Sequence, residues 1–372
     1  MPVRRLPETY PLPSIGIEGA KRMQFRLMEY VCAHFEGDEL LRSDLGVTPK
    51  WGRPSTTRKV EEALTDFFGA GGCALVQGAG TGAIRAMLDA TLPAGERILV
   101  HDAPPYATSR QTFESKGLEL VRANFNDPDE LRAVTQDSGK PKVTLVQHSR
   151  QRPEDRYDLA EVARTLGTGG IRTLTDENYT AFKVPKIGIE VGADASAFSM
   201  FKLLGPEGVG CVVGSEEIVE RIHHSNYSGG GQVQGHQALD ALRSLLVAPI
   251  LWAVQTEVVD EVVGRLEGGE VSGVAGARVA NGQDRMIMIL FDQPIAEQVV
   301  RKSVRFGAQN YPVGANSRYE VAPLFYQLSG SFLEAHAELA EYTIRVNPVR
   351  AGADLVLSIL KRSMEEARCS WT

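Results

Sequence analysis

Helical and strand patterns alternate along the chain from about Ser55 to Gly214. Apolar residues recur at helical spacing in STTRKVEEALTDFF, and short β-type runs follow in CALVQ, RILVHD, KVTLVQH and IRTLTD. Strands that alternate with helices are typical of a sheet whose strands are largely parallel. The alternation therefore predicts an α/β layer structure, in which Ser55 or Thr56 caps the first clear helix.

The pattern changes in the last third of the chain. Residues 236–266 predict one long helix, kinked at Pro249, of the kind that carries a chain from one domain to the next. The strands DRMIMILF and YTIRVNP and the helices PIAEQVVRKSV and LVLSILKRSMEEA then predict a smaller α+β domain. The predicted regions are an N-terminal segment, a large domain and a small C-terminal domain at 1–50, 51–255 and 256–372.

Composition narrows the classes of function. The net charge of −7 gives no support to a role on nucleic acid or on a membrane surface. Four cysteines lie far apart with no CxxC pair, which indicates neither a disulfide framework nor a zinc site. The first residues lack the apolar stretch of a secretory signal, and the most apolar run, 245–254, is too short to span a bilayer. We therefore expect a cytoplasmic protein without a metal.

The segment GAGTGAIR follows a predicted strand and begins a helix near Thr81. Free N–H groups and the positive end of the helix dipole suit a phosphate at such a position. Gly78, Gly80 and Ala83 also satisfy the dinucleotide fingerprint G-x-G-x-x-A, and Asp102 ends the next strand, where a ribose-binding acid would lie. This segment alone does not separate a phosphate site from a tight strand–helix turn.

The segment SMFKLLGPEGVG places Lys202 after a β-type run, among apolar neighbours. A desolvated lysine has a lowered pKa and can form an imine with an aldehyde. Ser199 could bind a phosphate, and Asp176 ends the strand IRTLT, where it could face a pyridine nitrogen. The alternatives are a solvated lysine at the strand end and an aspartate that caps a turn.

Taken together, GAGTGAIR, DAPPY, TDENY and SMFKLLGPEGVG resemble the PLP-dependent transferases of fold type I. The similarity is to class V aminotransferases and to enzymes of cysteine and methionine metabolism, and it is strongest over residues 50–215. It implies a three-layer αβα large domain with a mostly parallel seven-stranded sheet, a smaller α+β domain and the cofactor pyridoxal 5′-phosphate (PLP). It also implies a homodimer with the active site at the interface, where segment 1–50 would contact the partner or the small domain.

The resemblance implies roles for individual residues. Lys202 would hold PLP as a Schiff base and would move the proton at the α-carbon of the substrate. Asp176 would pair with the pyridinium nitrogen, and Tyr106 would stack on the ring. The phosphate would be held by Gly80, Thr81, Gly82 and Ser199.

Three further residues are implied less directly. Arg53 lies in WGRPSTTRKVEEAL, which resembles the Tyr-x-Arg of the lyases with Trp51 in place of tyrosine; it would reach the phosphate of a neighbouring subunit, or be solvated. The lost tyrosine argues against lyase chemistry. Gly230 lies in SGGGQVQG, which resembles a glycine-rich loop at the dimer interface or forms a flexible link. Arg345 would bind the substrate carboxylate, with Arg350 as its rival and a surface salt bridge as the alternative.

One departure from the family concerns the stretch HSRQRPEDR, where many aminotransferases carry Asn-Pro. The residue that contacts the 3-oxygen of the cofactor is therefore left open among Gln147, His148 and Ser149.

We therefore predict a PLP-dependent aminotransferase that acts on a small amino acid or keto acid. A lyase that cleaves C–S bonds or eliminates other β- or γ-substituents is the main alternative, followed by an aldolase or racemase. An NAD-dependent oxidoreductase would use GAGTGA and Asp102 but would leave Lys202 and Asp176 unexplained. A non-catalytic PLP-binding protein is the remaining alternative.

Overall fold

The computed structural model of the protein describes residues 4–228, 230–280, 285–314 and 316–369. These residues form two compact units. The large unit consists of Ile17–Ser149 and Tyr157–Ile250, and the small unit takes the described residues of Met1–Gly16, Arg150–Arg156 and Leu251–Thr372.

These limits differ from the predicted 1–50, 51–255 and 256–372. Residues 17–50 belong to the large unit because helix α1 (Ile17–His34) buries its apolar side against helix α2 (Ser55–Phe68). The short segment 150–156 belongs to the small unit, where Arg150 Nη1 donates a hydrogen bond to the Tyr10 carbonyl. Both differences depend on packing between segments far apart in sequence.

The large unit is built on a seven-stranded sheet. Its strands are β1 (Gly72–Gln77), β2 (Arg97–His101), β3 (Glu119–Ala123), β4 (Val143–Gln147), β5 (Arg172–Asp176), β6 (Ala195–Ser199) and β7 (Val209–Gly214). Its other helices are α3 (Ala79–Thr91), α4 (Ala107–Ser115), α5 (Pro128–Gln136), α6 (Leu159–Thr168), α7 (Glu216–Ser225) and α8 (Gly235–Leu245).

The strand order is β1-β7-β6-β5-β4-β2-β3. Strands β3, β2, β4, β5 and β6 are parallel, whereas β7 is antiparallel to both β6 and β1. Side chains of one strand alternate between the faces of the sheet. Accordingly, Ile98 and Val100 pack with α3 and α7, whereas Leu99 packs with α5 and α6. The predicted three-layer, mostly parallel fold is confirmed.

Helix α2 begins as predicted, but the prediction that Ser55 or Thr56 caps it is wrong. Neither side chain caps the helix. Instead, Asp44 Oδ2 accepts a hydrogen bond from the Ser55 amide at 2.6 Å, and Asp44 Oδ1 accepts one from the Thr56 amide at 2.9 Å. A carboxylate is favourable at a helix N-terminus, where it satisfies N–H groups and the dipole. Because Asp44 is eleven residues upstream of Ser55, no local pattern reveals this cap.

The predicted long helix is two helices. Helix α8 ends at Leu245, and α9 (Ala248–Glu267) begins three residues later with Pro249 in its first turn, where proline is well tolerated. Within the described residues, the stretch 235–267 is the one helical region long and apolar enough to cross a membrane, by length and composition alone. Half of its most apolar window is buried inside the protein.

The small unit has a four-stranded sheet of order β10-β11-β9-β8, with all neighbouring strands antiparallel. Ile287, Ile289 and Phe291 of β9 pack with α10 and α12 in one apolar cluster. This arrangement confirms the predicted smaller α+β domain. Its elements are β8 (Val274–Val279), β9 (Ile287–Phe291), β10 (Leu324–Gln327), β11 (Thr343–Asn347), α10 (Ala296–Ser303), α11 (Gly330–Ala335) and α12 (Ala353–Cys369).

Candidate active site

A cavity of about 220 Å³ lies in the large unit, where the carboxyl ends of β4, β5 and β6 meet the first turn of α3. Ligands bind at this edge in open α/β sheets. Of the predicted site residues, the cavity is lined by Gly80, Thr81, Tyr106, Asp176, Ser199 and Lys202. Its other lining residues are Ala79, Thr108, Gln147, Asn178, Tyr179 and Phe201.

Lys202 is held on a single tight turn that follows β6. The amides of Leu203 and Gly205 both donate hydrogen bonds to the Met200 carbonyl, at 2.9 and 2.8 Å. A β-carbon on Gly205 would lie 2.7 Å from that carbonyl oxygen, so the turn requires glycine there. The strand end and the turn together direct the Lys202 amine into the cavity rather than along the surface.

Tyr179 lines the cavity but was not predicted from the sequence as a site residue. Lys202 Nζ donates a hydrogen bond to Tyr179 Oη at 2.7 Å and lies 4.3 Å from the centre of the Tyr179 ring. Tyr179 follows Asp176 by three residues in the segment DENY, so it lies within TDENY, one of the segments that resemble the family. Its role depends on the fold of the turn after β5, which the sequence pattern does not specify.

Asp176 ends β5 and is only 7% exposed. Burial raises its pKa to about 6, although hydrogen bonds from Asn178 and the charge of Lys202 act in the opposite direction. The Asn178 amide and Asn178 Nδ2 donate to Asp176 Oδ1 at 3.0 and 2.7 Å. Asn178 Oδ1 is buried and has no hydrogen-bond partner in the protein. The cavity therefore presents a buried carboxyl group and an unpaired acceptor.

The glycines of GAGTG allow close approach of other groups. A β-carbon on Gly80 would lie 1.9 Å from Asn178 Oδ1, and one on Gly82 would lie 2.1 Å from the Gln77 carbonyl oxygen. Gly82 is not among the residues that line the cavity, whereas Gly80 and Thr81 are. The first turn of α3 leaves its amide N–H groups without partners inside the helix, which suits an anion.

Replacement of Gly80 with alanine is expected to weaken PLP binding and to lower the free energy of unfolding by about 1–3 kcal/mol, because the new methyl group must displace Asn178. The matched control is Gly167→Ala in α6, where a β-carbon meets nothing within 4 Å and alanine favours the helix. Denaturant unfolding and PLP titration measure both effects. Equal behaviour of the two variants would contradict the tight contact.

Gln147 is the only one of the three open candidates, Gln147, His148 and Ser149, that lines the cavity. It is paired with Asp176 in the register of β4 and β5. Tyr157 Oη donates to its carbonyl at 2.6 Å, and Gln147 Nε2 donates to Ser149 Oγ at 3.2 Å. His148 is buried, and its Nδ1 lies 2.6 Å from Oε2 of the fully buried Glu177.

Arg53 does not line the cavity. Its Nε lies 2.6 Å from Oε2 of Glu61, a buried residue of α2, in an ion pair. Burial raises the pKa of Glu61 to about 7, against the charge of Arg53. Burial, reinforced by the Arg53 charge, lowers the pKa of the neighbouring His223 to about 4. Within one chain, Arg53 is therefore partly buried and paired with Glu61, and it is not a lining residue of the cavity.

Gly230 does not line the cavity and is exposed. Within the same glycine-rich segment, 228–235, residue 229 lies outside the described residues. Gln232 is buried, forms an isolated bridge with Val76 of β1 and donates from Nε2 to the Gly52 carbonyl at 3.1 Å. The end of the segment is thus packed onto the large unit, in contrast to a freely flexible link.

Arg345 lies on β11 in the small unit and is only 6% exposed. Its Nε donates to Met286 Sδ at 3.0 Å, its Nη1 donates to the Ser329 carbonyl at 3.2 Å, and its guanidinium lies 4.8 Å from the centre of the Tyr326 ring. It is not a surface salt bridge. Its rival Arg350 is exposed, 5.6 Å from the centre of the Trp252 ring.

The lining of the cavity fits PLP. The first turn of α3 supplies N–H groups for a phosphate, Asp176 supplies a buried carboxyl group for the ring nitrogen, and Lys202 supplies an amine for the aldehyde. The buried and unpaired Asn178 Oδ1 at the lining is a further polar atom that a bound group could contact.

Comparisons with known proteins agree with this fit. The chain matches the class-V aminotransferase family over residues 57–242 and the YhfS-like C-terminal domain family over 260–360. It is 49% identical to protein YhfS of Escherichia coli (strain K12) over 358 residues, which are 96% of this chain and 99% of that protein. The crystal structure of the pyridoxal-5′-phosphate dependent protein YhfS from Escherichia coli has a TM-score of 0.95 and 48% identity, covering 97% of this chain and all of that one.

More distant structures share the fold alone. Apo CalE6, a methionine gamma lyase from Micromonospora echinospora, has a TM-score of 0.71 at 16% identity, covering 92% of this chain and 99% of that one. Cystathionine gamma synthase from Xanthomonas oryzae pv. oryzae has a TM-score of 0.66 at 19% identity, covering 86% and 88%. A dinucleotide site at GAGTGA receives no support from these matches. The chain belongs to the class-V aminotransferase family and is a PLP-dependent enzyme of fold type I.

Proposed function

We propose that the protein is an aminotransferase that acts on a small amino acid. The observation that carries the proposal is the position of the Lys202 amine, which lies in the cavity with Tyr179 Oη at 2.7 Å and within electrostatic reach of the buried Asp176. An amine beside a hydroxyl group and a carboxyl group can accept a proton and return it to another atom. Transamination requires such a proton shift.

The residues that would hold PLP are those of the cavity. Gly80, Thr81 and Ser199 would bind the phosphate, Tyr106 would cover one face of the ring, and Asp176 would pair with the ring nitrogen. When bound, PLP supplies an electron sink that stabilises negative charge at the α-carbon of an amino acid. Gln147 would contact the 3-oxygen, because it ends the strand next to that of Asp176 and lines the cavity.

Lys202 would remove the α-proton of the substrate. Tyr179 would support this step, because its hydroxyl group accepts a hydrogen bond from Lys202 Nζ and keeps the amine oriented. Arg345 would bind the substrate carboxylate. Its burial and its fixed contacts to Met286 and Ser329 would limit the rotamer freedom that is lost when a carboxylate binds.

A lyase reaction is the second candidate. The Tyr179 hydroxyl group beside Lys202 favours it, since an acid at this position could protonate a leaving group of the substrate. The replacement of the expected tyrosine by Trp51 argues against it.

Incubation with a panel of amino acids separates the two reactions. An aminotransferase is expected to yield about one equivalent of keto acid per bound PLP without ammonia, and to turn over only when a second keto acid is added. A lyase releases keto acid and ammonia together, with continuous turnover and a free leaving group. Continuous ammonia release would contradict the proposed transamination, and the absence of any reaction would favour a binding protein.

A homodimer is also part of the proposal. Exposed apolar side chains of the large unit, among them Leu41, Leu45 and Tyr227, lie in segments that flank Arg53 and Gly230 in sequence. A second copy would cover such side chains. Light scattering is expected to give twice the mass of the 372-residue chain, and the mass of a single chain at micromolar concentration would contradict the dimer.

A further inference from the structure

A buried contact between Glu177 and His148 adjoins the lining residues in sequence and has no part in the mechanism above. Glu177 is 0% exposed and does not line the cavity, although Asp176, Asn178 and Tyr179 on either side of it do. Its Oε2 lies 2.6 Å from His148 Nδ1. His148 follows Gln147, which also lines the cavity. The pair therefore connects two of the segments that carry the site.

All the contacts of Glu177 are suited to a negative charge. Glu177 Oε1 accepts a hydrogen bond from the Gly188 amide at 2.8 Å, and Glu177 Oε2 accepts one from Thr180 Oγ1. Burial raises the pKa of Glu177, but His148 and these hydrogen bonds outweigh burial, so its net pKa is lowered. A buried carboxylate requires a counter-ion, and removal of one partner leaves an uncompensated charge.

The charge of Glu177 acts on its neighbour Asp176. Burial is the main cause that raises the pKa of the Asp176 carboxyl group, and the charge of Glu177 raises it further. Hydrogen bonds from Asn178 and the charge of Lys202 lower that pKa. Glu177 also faces Glu190, which lies 3.8 Å from Arg26 on α1. Within the described residues, His148 is the basic side chain that contacts the Glu177 carboxyl group directly.

We propose that His148 is a positioning residue: its imidazolium neutralises Glu177 and thereby keeps Asp176 ionised beneath the ring nitrogen of PLP. The inference rests on the proposed pairing of Asp176 with that nitrogen and is independent of the reaction type. A proton shared between Asp176 and the ring moves toward Asp176 when Glu177 carries an uncompensated negative charge, because Glu177 adjoins Asp176 in sequence and does not line the cavity. His148 cancels this effect.

The test is the ¹⁵N chemical shift of ¹⁵N-labelled PLP bound to the protein, since this shift reports whether the ring nitrogen carries a proton. In the wild-type protein we expect a protonated nitrogen at neutral pH. In His148→Gln the protonated fraction is expected to fall several-fold. In Glu177→Gln it is expected to remain as in the wild type, and His148→Gln/Glu177→Gln is expected to recover it.

The two single variants distinguish a charge effect from a structural effect, because only His148→Gln is expected to lower the protonated fraction. A purely structural pair would give similar losses in both single variants and the largest loss in the double variant, and that result would overturn the proposal. An unprotonated nitrogen in the wild-type protein would also overturn it. If His148→Gln does not fold by circular dichroism, His148→Lys retains a cation and is expected to keep the nitrogen protonated; loss of the proton in His148→Lys would refute the counter-ion role. An outcome of lyase products in the amino-acid panel leaves these expectations unchanged.

Discussion

Replacement of Lys202 with alanine is expected to lower turnover of the amino acid by about 10⁴-fold or more, because general acid–base catalysis alone contributes up to this factor. The variant also loses the amine that would attach the cofactor covalently, so PLP is expected to dissociate on dialysis. Stopped-flow and steady-state assays measure the first effect, and absorbance after dialysis measures the second.

The matched control is Lys183→Ala. Lys183 is a buried lysine, whose Nζ lies 5.8 Å from the centre of the Tyr179 ring, and it is not among the residues that line the cavity. Its replacement is expected to leave turnover within about tenfold of the wild type, since it loses no group that would move the proton. A Lys183 variant as inactive as the Lys202 variant would contradict the assignment of the proton-transferring amine.

Replacement of Asp176 with asparagine is expected to change activity and stability in opposite directions. Turnover falls by about 10²–10³-fold, the usual effect of removing a preorganised charge partner. The PLP-free protein becomes more stable at pH 8, by up to about 3 kcal/mol, because the buried carboxyl group has a pKa of about 6 against about 3.9 in the unfolded chain.

The sign follows from proton linkage. A raised pKa in the folded state means that the folded protein binds more protons than the unfolded chain between pH 4 and pH 6, so stability falls as the pH rises through this window. The gain of the Asp176→Asn variant is therefore expected at pH 8 and is expected to vanish at pH 4. Denaturant unfolding at both values measures it, with Asp194→Asn as the control at the opposite end of the sheet, where Asp194 accepts a hydrogen bond from the Thr173 amide. A gain independent of pH would contradict the buried charge.

The sequence predicted the residues that depend on local position. Lys202, Asp176 and Ser199 each lie at or just after the end of a strand, and parallel strands bring such ends to one edge of a sheet. Gly80 and Thr81 could also be predicted from the sequence, because a glycine turn between a strand and a helix has a characteristic pattern. These residues line one cavity in the structure.

Other features depend on contacts that no local pattern encodes. The Tyr179 hydroxyl group reaches Lys202 because the turn after β5 folds back toward the turn after β6. The cap of α2 comes from Asp44, and the ion pair of Arg53 comes from Glu61 on the next helix. His148 was predicted only as a candidate contact to the 3-oxygen, since its partner Glu177 lies 29 residues away, just after the end of β5. Such pairings require the fold before they can be recognised.

The most direct measurement is the site of covalent attachment of PLP. The protein is reconstituted with PLP, reduced with borohydride and digested, and the labelled peptide is identified by mass spectrometry. We predict that the label lies on Lys202 in the peptide containing SMFK. A label on Lys183 or on another lysine, or no label at all in a protein that retains PLP, would contradict the account.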